Sequence, residues 1–207
     1  MNNLAKQKGA VLYMTLMIMV LMAFAGLALL RAVDNGTSVA GNIGYKQAAI
    51  ISADSAVKNA TDYLTTGTLT TDSSGNGFYA TSTTALDWTG QITPTDSSDD
   101  IDWDGTNSSA PTKAKQATFS GTNTVDASGN RAYYVIHRLC DKTGSAGAVG
   151  TSCATSGSQS TATGSTKTGA SYGQKALTTT TQVYYRITVK VLGPKKTASY
   201  SQAFVLI

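Results

Sequence analysis

Three aspartates at alternate positions form the segment of this chain that most resembles a metal-binding motif. The segment reads Asp100-Ile101-Asp102-Trp103-Asp104-Gly105. Alternating acids followed by a glycine match the first half of a calcium loop, in which carboxylate oxygens bind the ion and the glycine permits a sharp turn. Pro111 occupies the position of the closing bidentate glutamate. We therefore weigh a calcium site at Asp100, Asp102 and Asp104 against a solvated acidic loop without a metal.

The residues needed for catalysis are sparse. His137 is the only histidine, and the chain contains no glutamate. His137 alternates with apolar residues in a strand-like run, which is typical of a packed side chain. Together with Cys140 and Cys153 it would supply three zinc ligands, whereas a structural zinc site needs four. We expect neither an enzyme nor a zinc site, because no nucleophile and base can be paired.

The element that must position everything else is N-terminal. The basic leader Lys6-Gln7-Lys8-Gly9 is followed by Ala10–Leu30, 21 residues without a charge. As a helix this segment is about 30 Å long, the thickness of a bilayer's hydrocarbon core. A secretory signal has a small-residue cleavage site after its apolar stretch, and none is evident between Leu21 and Asp34. We expect the apolar helix to be retained and any cleavage to occur before it, after Gly9.

Charge determines the expected orientation of this helix. Lys6 and Lys8 precede it, and the leader contains no acid. The positive-inside rule then keeps the N-terminus cytoplasmic and places the chain from Arg31 onward on the far side of the membrane. Cys140 and Cys153 would lie in an oxidising compartment, where a disulfide is expected. Closing that loop would contribute about 3 kcal/mol; the alternative is a pair of free, buried thiols.

The remaining charge does not indicate a nucleic-acid partner. The net charge is +4 and the isoelectric point is near 9.0, but the basic residues are scattered without a run of five. We therefore expect no specific nucleic-acid site.

The apolar pattern predicts an α+β chain that begins with one long helix from Ala10 to about Leu64. Residues 10–30 are apolar on every face, and residues 31–64 are amphipathic. A heptad stripe in the second part is expected to face a sheet; its members are Ile43, Ile50, Val57 and Leu64, with Ala53 and Ala60 between them. Glycines at 26, 36, 41 and 44 soften the helix, so we expect a bend or break near Asn35–Gly44.

Residues 65–207 are expected to form a globular head with a C-terminal antiparallel sheet. After a loop-rich stretch, two alternating runs begin at Arg131 and Gln182. The second places Val183, Tyr185, Ile187, Val189 and Val191 inward. Tyr134 and Tyr184 are expected outward, where they could help to form a binding face. A turn at Gly193–Lys196 leads into a last strand, Ala198–Ile207.

Together these features resemble a type IV prepilin: a short basic leader ending in glycine, an uncleaved apolar helix and a C-terminal antiparallel sheet. Ala40-Gly41-Asn42, Gln47-Ala48 and Ala53-Asp54-Ser55-Ala56 are similar to the N-terminal region of the PilX family of minor pilins. The closing strand, turn and strand are also similar to that family. The resemblance covers residues 6–64 well and 182–207 loosely.

The resemblance implies a pilin fold and a structural function. A prepilin peptidase would cut residues 1–9 from the chain between Gly9 and Ala10 and methylate the new amino group of Ala10. The protein would first span the inner membrane once and then enter an extracellular pilus, priming its assembly or capping it. Implied partners are the major pilin, other minor pilins and a PilY-type tip adhesin. Implied roles are adhesion, twitching motility or DNA uptake.

One position departs from the pattern of major pilins, which carry a glutamate five residues after the cleaved bond. Met14 occupies that position here. A carboxylate in hydrocarbon is costly unless it is paired, so a subunit that needs no partner amine above it can lack the acid. The resemblance therefore suggests a place at or near the tip.

Two other functions fit the same residues. One is the tip pseudopilin of a type II secretion system, although the stretch from Thr65 to Thr181 lacks a helical period for the large insertion usual in such proteins. The other is a single-pass membrane-anchored binding domain that is never cut, in which case the N-terminus would remain Met1.

Overall fold

A computed structural model describes residues 10–67, 69–82, 86–87, 98–156 and 182–207. One α-helix, α1, runs from Ala10 to Thr66 and has 57 residues. This confirms the predicted long helix. The expected break near Asn35–Gly44 is wrong, because α1 continues through this stretch and isolated glycines each cost only about 1 kcal/mol; the expected bend stays a prediction. The leader residues Lys6, Lys8 and Gly9 lie outside the described residues.

The chain divides into two compact units with the boundary between Gln47 and Ala48. The first unit therefore contains the apolar segment. The second contains the last five turns of α1 together with all of the described strands. The boundary falls inside the range 31–64 that the sequence assigns to the amphipathic part of the helix.

The second unit is built around a six-stranded sheet. Its long strands are β5 (Arg131–Arg138), β7 (Gln182–Leu192) and β8 (Ala198–Leu206), which pair antiparallel in that order. Short strands extend it: β4 (Lys115–Gln116) pairs antiparallel with β5, and β6 (Thr155–Ser156) pairs antiparallel with β7. The strand β1 (Phe78–Tyr79) pairs parallel with β5 and makes the sheet mixed. Strands β2 (Ile101–Asp102) and β3 (Thr112–Lys113) form a separate parallel pair.

The helix packs on this sheet through small residues. The buried residues Ala53, Ala56, Ala60 and Leu64 of α1 belong to one core cluster with the inward side chains of β7. The expected stripe is confirmed at Ala53, Ala60 and Leu64 and is wrong at Ile43 and Ile50, which are 51% and 61% exposed. Alanine lets the helix backbone approach the sheet closely, so the alanine face lies inward and the larger isoleucines lie outside it.

Strand β5 is buried on both faces, which alternation alone did not reveal. Tyr134 and Ile136 contact the helix-side core, whereas Tyr133 and Val135 join a second core cluster with Trp103. The expectation that Tyr134 faces outward is therefore wrong, since its side chain is 5% exposed. The second cluster also contains Leu86 and Ile101, so the acidic segment and its neighbours cover the outer face of the sheet here.

The β7–β8 hairpin confirms the predicted inward residues of β7, from Val183 to Val191. A 3₁₀ turn, Pro194–Lys196, joins the two strands. Gly193 has to be small, because a Cβ there would lie 2.5 Å from Thr197 Oγ1 and 3.1 Å from Asn130 Oδ1.

Candidate functional site

The surface of α1 in the first unit is the most unusual feature of the described structure. Between Val11 and Leu30 every large apolar side chain is 44% to 76% exposed. The helix is long and apolar enough to cross a membrane. Such a surface is costly in water, at about 25 cal/mol per Å² of apolar area. The segment therefore needs a cover of lipid or of other apolar helices.

The threonine hydroxyl within this segment is satisfied locally. The hydroxyl of Thr15 donates to the carbonyl oxygen of Leu12 at 2.9 Å. Hydrocarbon offers no hydrogen-bond partners, so a hydroxyl bonded within its own helix suits a membrane span. Met14 is 66% exposed and adds no charge to this surface.

Exposed apolar side chains also occur beyond the span. Val33, Val39 and Ile43 of the first unit are 56%, 57% and 51% exposed. In the second unit, Ile50 and Ile51 are 61% and 67% exposed. Apolar contact surface on α1 is therefore not confined to the stretch that could lie in a bilayer.

Cys140 and Cys153 form the predicted disulfide, and their Cα atoms are 4.0 Å apart. The bond joins the residues just after β5 to those just before β6. Cys140 is 1% exposed and belongs to the helix-side core. The alternative of two free thiols is therefore not found in the structure.

Next to the disulfide, Arg138 is a buried cation that sequence reasoning missed. Its side chain is 2% exposed, and it donates to four backbone carbonyls. Nε reaches Ala80 O at 3.0 Å, and Nη1 reaches Leu69 O at 3.0 Å. The other two acceptors lie within the disulfide loop: Gly144 O at 2.7 Å and Lys142 O at 3.0 Å. Arg138 thus links the chain after α1, the chain after β1 and the disulfide loop.

A second polar cluster ties α1 to a loop before β5. The hydroxyl of Ser52, which is 1% exposed, donates to Asp126 Oδ2. The side-chain amide of Asn130 donates to the same carboxylate oxygen at 2.9 Å and to Ser52 Oγ at 3.0 Å. Burial raises the pKa of Asp126, but the hydrogen bonds from Ser52 and Asn130 outweigh it and hold that pKa below its ordinary value. These hydrogen bonds attach α1 to the loop before β5.

The acidic segment uses its oxygens within its own loop. Asp100 and Asp102 are buried, and Asp102 Oδ1 accepts from the Gly105 amide at 2.7 Å. Asp104 Oδ1 accepts from the Thr106 hydroxyl at 2.5 Å, which lowers the pKa of Asp104. Among the described residues no group of three acidic, histidine or cysteine side chains is placed to hold a metal ion. The calcium hypothesis gains no support from this geometry, and two of its carboxylates are buried rather than solvated.

An aromatic and cationic stack lies on the outer face of the sheet. The Trp103 and Tyr200 rings are 6.2 Å apart between centroids, and Lys190 Nζ lies 5.6 Å from the first and 5.8 Å from the second. Burial lowers the pKa of Lys190, and Asp104 and Asp87 oppose that shift. Attraction between the ammonium and the ring faces helps to hold the acidic segment on the sheet.

His137 is a packed residue, as predicted. It is fully buried and stacks on Tyr79 with ring centroids 5.4 Å apart. Neither ring nitrogen has a hydrogen-bond partner among the residues that the structure describes. Burial, and to a smaller extent the charge of Arg186, lowers the pKa of His137 to about 4. A neutral, unpaired imidazole in a core is a poor candidate for catalysis.

Comparisons with family models, curated proteins and solved structures gave no match. The described geometry brings the two cysteines together and does not bring the three aspartates into one metal shell. The residues that sequence reasoning missed, Arg138 and Ser52, stand in ordinary alternating or helical patterns and had no distinguishing signal.

Proposed function

We propose that this chain is a minor pilin of the PilX type, which primes assembly of a type IV pilus or caps it. The observation that carries the proposal is the order of the first thirty residues: a basic leader, Gly9 and then 21 uncharged residues. The exposed apolar surface of α1 from Val11 to Leu30 supports it. A surface of that kind serves equally in lipid and in a bundle of like helices.

The arrangement of the second unit also supports this proposal. A helix that packs through alanines on an antiparallel hairpin sheet is what the resemblance implies for a pilin head. In the described residues from 67 to 156 there is no α-helix. That favours a pilin over a type II secretion tip pseudopilin, in which a large helical insertion is usual.

Under this proposal, membership of the fibre follows cleavage after Gly9. The new amino group of Ala10 would be methylated, and the helix would leave the inner membrane to pack with those of the major pilin and other minor pilins. A PilY-type adhesin is the proposed tip partner. Adhesion, twitching motility and DNA uptake are the activities that such a fibre would support.

The first experiment is mass spectrometry of the N-terminus, with the variant Gly9→Leu. Wild-type protein should begin at a methylated Ala10, whereas Gly9→Leu should remain an uncut precursor, because a bulky residue at the cleaved bond blocks the peptidase. The matched control is Gly26→Leu, which lies inside the apolar helix and has no atom within 4 Å of an added Cβ. That control should be processed normally.

The same measurement separates the membrane-anchored binding domain from both the minor pilin and the type II secretion pseudopilin. A wild-type protein that retains Met1 would support the membrane-anchored binding domain instead. Normal processing of Gly9→Leu would contradict the assigned cleavage position.

A further inference from the structure

The short segment that follows α1, residues 69–72, is attached to the head beside the disulfide. We call this segment the connector. The carbonyl oxygen of Leu69 accepts from Arg138 Nη1 at 3.0 Å, and that of Thr70 accepts from the amide of Gly144 at 2.7 Å. The side chain of Leu69 also packs against the helix-side core. One of the two donors therefore precedes the disulfide loop and the other belongs to it.

The disulfide determines where the Gly144 amide lies. Cys140 and Cys153 are 13 positions apart in the sequence, and the bond closes the chain between them into a loop. Next to the bond the amide of Asp141 donates to Ser152 O at 2.9 Å, and the amide of Ser152 donates to Asp141 Oδ1 at 2.7 Å. These contacts require the two ends of the loop to stay together. Opening the bond would therefore loosen the loop that carries the Gly144 amide.

The same loop fixes the guanidinium of Arg138. Nη1 is shared between Gly144 O at 2.7 Å and Leu69 O at 3.0 Å, and Nη2 donates to Lys142 O at 3.0 Å. A buried charge is stable only while it has polar partners. Opening the loop withdraws two of its carbonyls, so the guanidinium takes up water and no longer holds the Leu69 carbonyl in place.

The part of α1 that lies in the second unit has attachments outside the disulfide loop. The side-chain amide of Asn59 donates to Thr118 O at 2.9 Å, and Asn59 Oδ1 accepts from the Thr118 hydroxyl at 2.9 Å. One heptad earlier, Ser52 donates to Asp126. Neither contact involves residues 138–153. Loosening of the disulfide loop should therefore leave these attachments of the helix intact.

We propose that the bond between Cys140 and Cys153 is a redox-sensitive latch, which holds the connector against the head when oxidised and releases it when reduced. The guanidinium of Arg138 and the amide of Gly144 transmit the change, while α1 stays attached elsewhere. Reduction by a dithiol leaves two thiols in the chain and a disulfide in the dithiol, so two electrons and two protons enter the chain. The proposal does not depend on the pilus assignment, because all of these contacts lie within the second unit.

Limited digestion with chymotrypsin, which cuts after large apolar residues, tests the latch on the full chain in detergent micelles. Dithiothreitol should speed cleavage after Leu69 by about tenfold or more, because local opening exposes the backbone there. Fragments are identified by mass spectrometry, and titration of free thiols confirms the reduction.

The internal control is cleavage after Phe119, which also packs against the helix-side core and follows Thr118. Its rate should stay within about threefold of that in the oxidised chain, because the contacts of Asn59 remain. Equal acceleration at both sites would show a general loosening of the head. Unchanged cleavage after Leu69 in the reduced chain would show that the connector is held without the disulfide. Either result would overturn the proposal.

The variant Arg138→Met tests the transmission with the disulfide closed. Its connector should be cut after Leu69 about as fast as in the reduced wild-type chain, and dithiothreitol should add less than about threefold. Arg131→Met, at an exposed position of the same strand, is the matched control and should resist cleavage as the oxidised wild type does. Resistance of oxidised Arg138→Met would contradict the proposal, which requires the guanidinium.

Hydrogen exchange on the wild-type chain replaces this comparison if Arg138→Met does not fold. The amide of Gly144, bonded to Thr70 O, should exchange about tenfold faster or more after reduction. The amide of Asn130, which donates to Asp126 Oδ1 at 2.7 Å, should keep its rate. Retained protection at Gly144, or equal loss at both amides, would contradict a local latch.

Discussion

At the residue scale, the described structure adds buried polar groups to the apolar core of the head. Arg138 binds four carbonyls, and Ser52 with Asp126 and Asn130 anchors the helix. A buried polar network of this kind is stabilising only when each of its groups has a hydrogen-bond partner. His137 is the exception, because its ring nitrogens are buried and have no hydrogen-bond partner in the described parts of the chain.

His137 makes the head sensitive to mild acid. Its pKa is about 4 in the folded chain and about 6.5 in an unfolded one. As pH falls the unfolded state takes up the proton first. Stability is therefore fully present above about pH 6.5 and falls toward pH 4, by on the order of 2–3 kcal/mol.

The variant His137→Phe should remove this sensitivity, because phenylalanine keeps the stacking on Tyr79 and does not titrate. Its melting temperature should change less than that of wild type between pH 7 and pH 4.5, measured on full-length protein in detergent. If the melting temperatures of the two proteins fell by the same amount across that pH range, His137 would not be the titrating group.

At the element scale, the disulfide and Arg138 depend on each other. The disulfide loop supplies two of the four carbonyls that hold the guanidinium, from Lys142 and Gly144. Opening the loop would leave the buried guanidinium with fewer hydrogen-bond acceptors. Part of the stability that Arg138 contributes therefore requires the closed disulfide.

A double-mutant cycle on chemical unfolding tests this coupling. Replacing both cysteines with alanine should cost about 3 kcal/mol, and Arg138→Met should cost about 2–4 kcal/mol. The combined variant should lose at least about 1 kcal/mol less than the sum, since contacting groups are not additive. Arg131→Met, at an exposed position of the same strand, is the control and should be additive with the cysteine changes. Additivity for Arg138 as well would contradict the coupling.

At the scale of the whole molecule, the proposed function makes the chain one subunit among many. The absence of an acid at Met14 argues for few copies near one end of a fibre, because a repeating subunit would need the carboxylate to pair with the amine of its neighbour.

Sheared fibres provide the measurement. This protein should co-purify with them in far fewer copies than the major subunit, and labelling with antibody should mark fibre ends. An even distribution along the fibre, at a stoichiometry close to that of the major subunit, would remove the tip hypothesis.

The sequence alone predicted the structure correctly where one physical pattern dominates a segment. Twenty-one uncharged residues after Gly9 predict a long apolar helix, because charge is too costly in hydrocarbon, and strict alternation from Val183 to Val191 predicts the face of β7 that lies in the core. The two cysteines follow a helix that is expected to cross a membrane, which predicts a disulfide between them, and the structure confirms the bond.

Other features were decided only by the tertiary structure, because they depend on what approaches from outside an element. The predicted core face of α1 is correct at Ala53, Ala60 and Leu64, but Ile43 and Ile50 of the same stripe lie outside the core. Alternation in β5 could not reveal that a second layer covers its outer face and buries Tyr133 together with Tyr134. The three aspartates looked like one site in the chain, but the fold directs their oxygens to separate donors in the loop. The spacing of apolar residues indicates which side chains share one face of a helix or strand. Whether a side chain is buried depends on every element that packs against it.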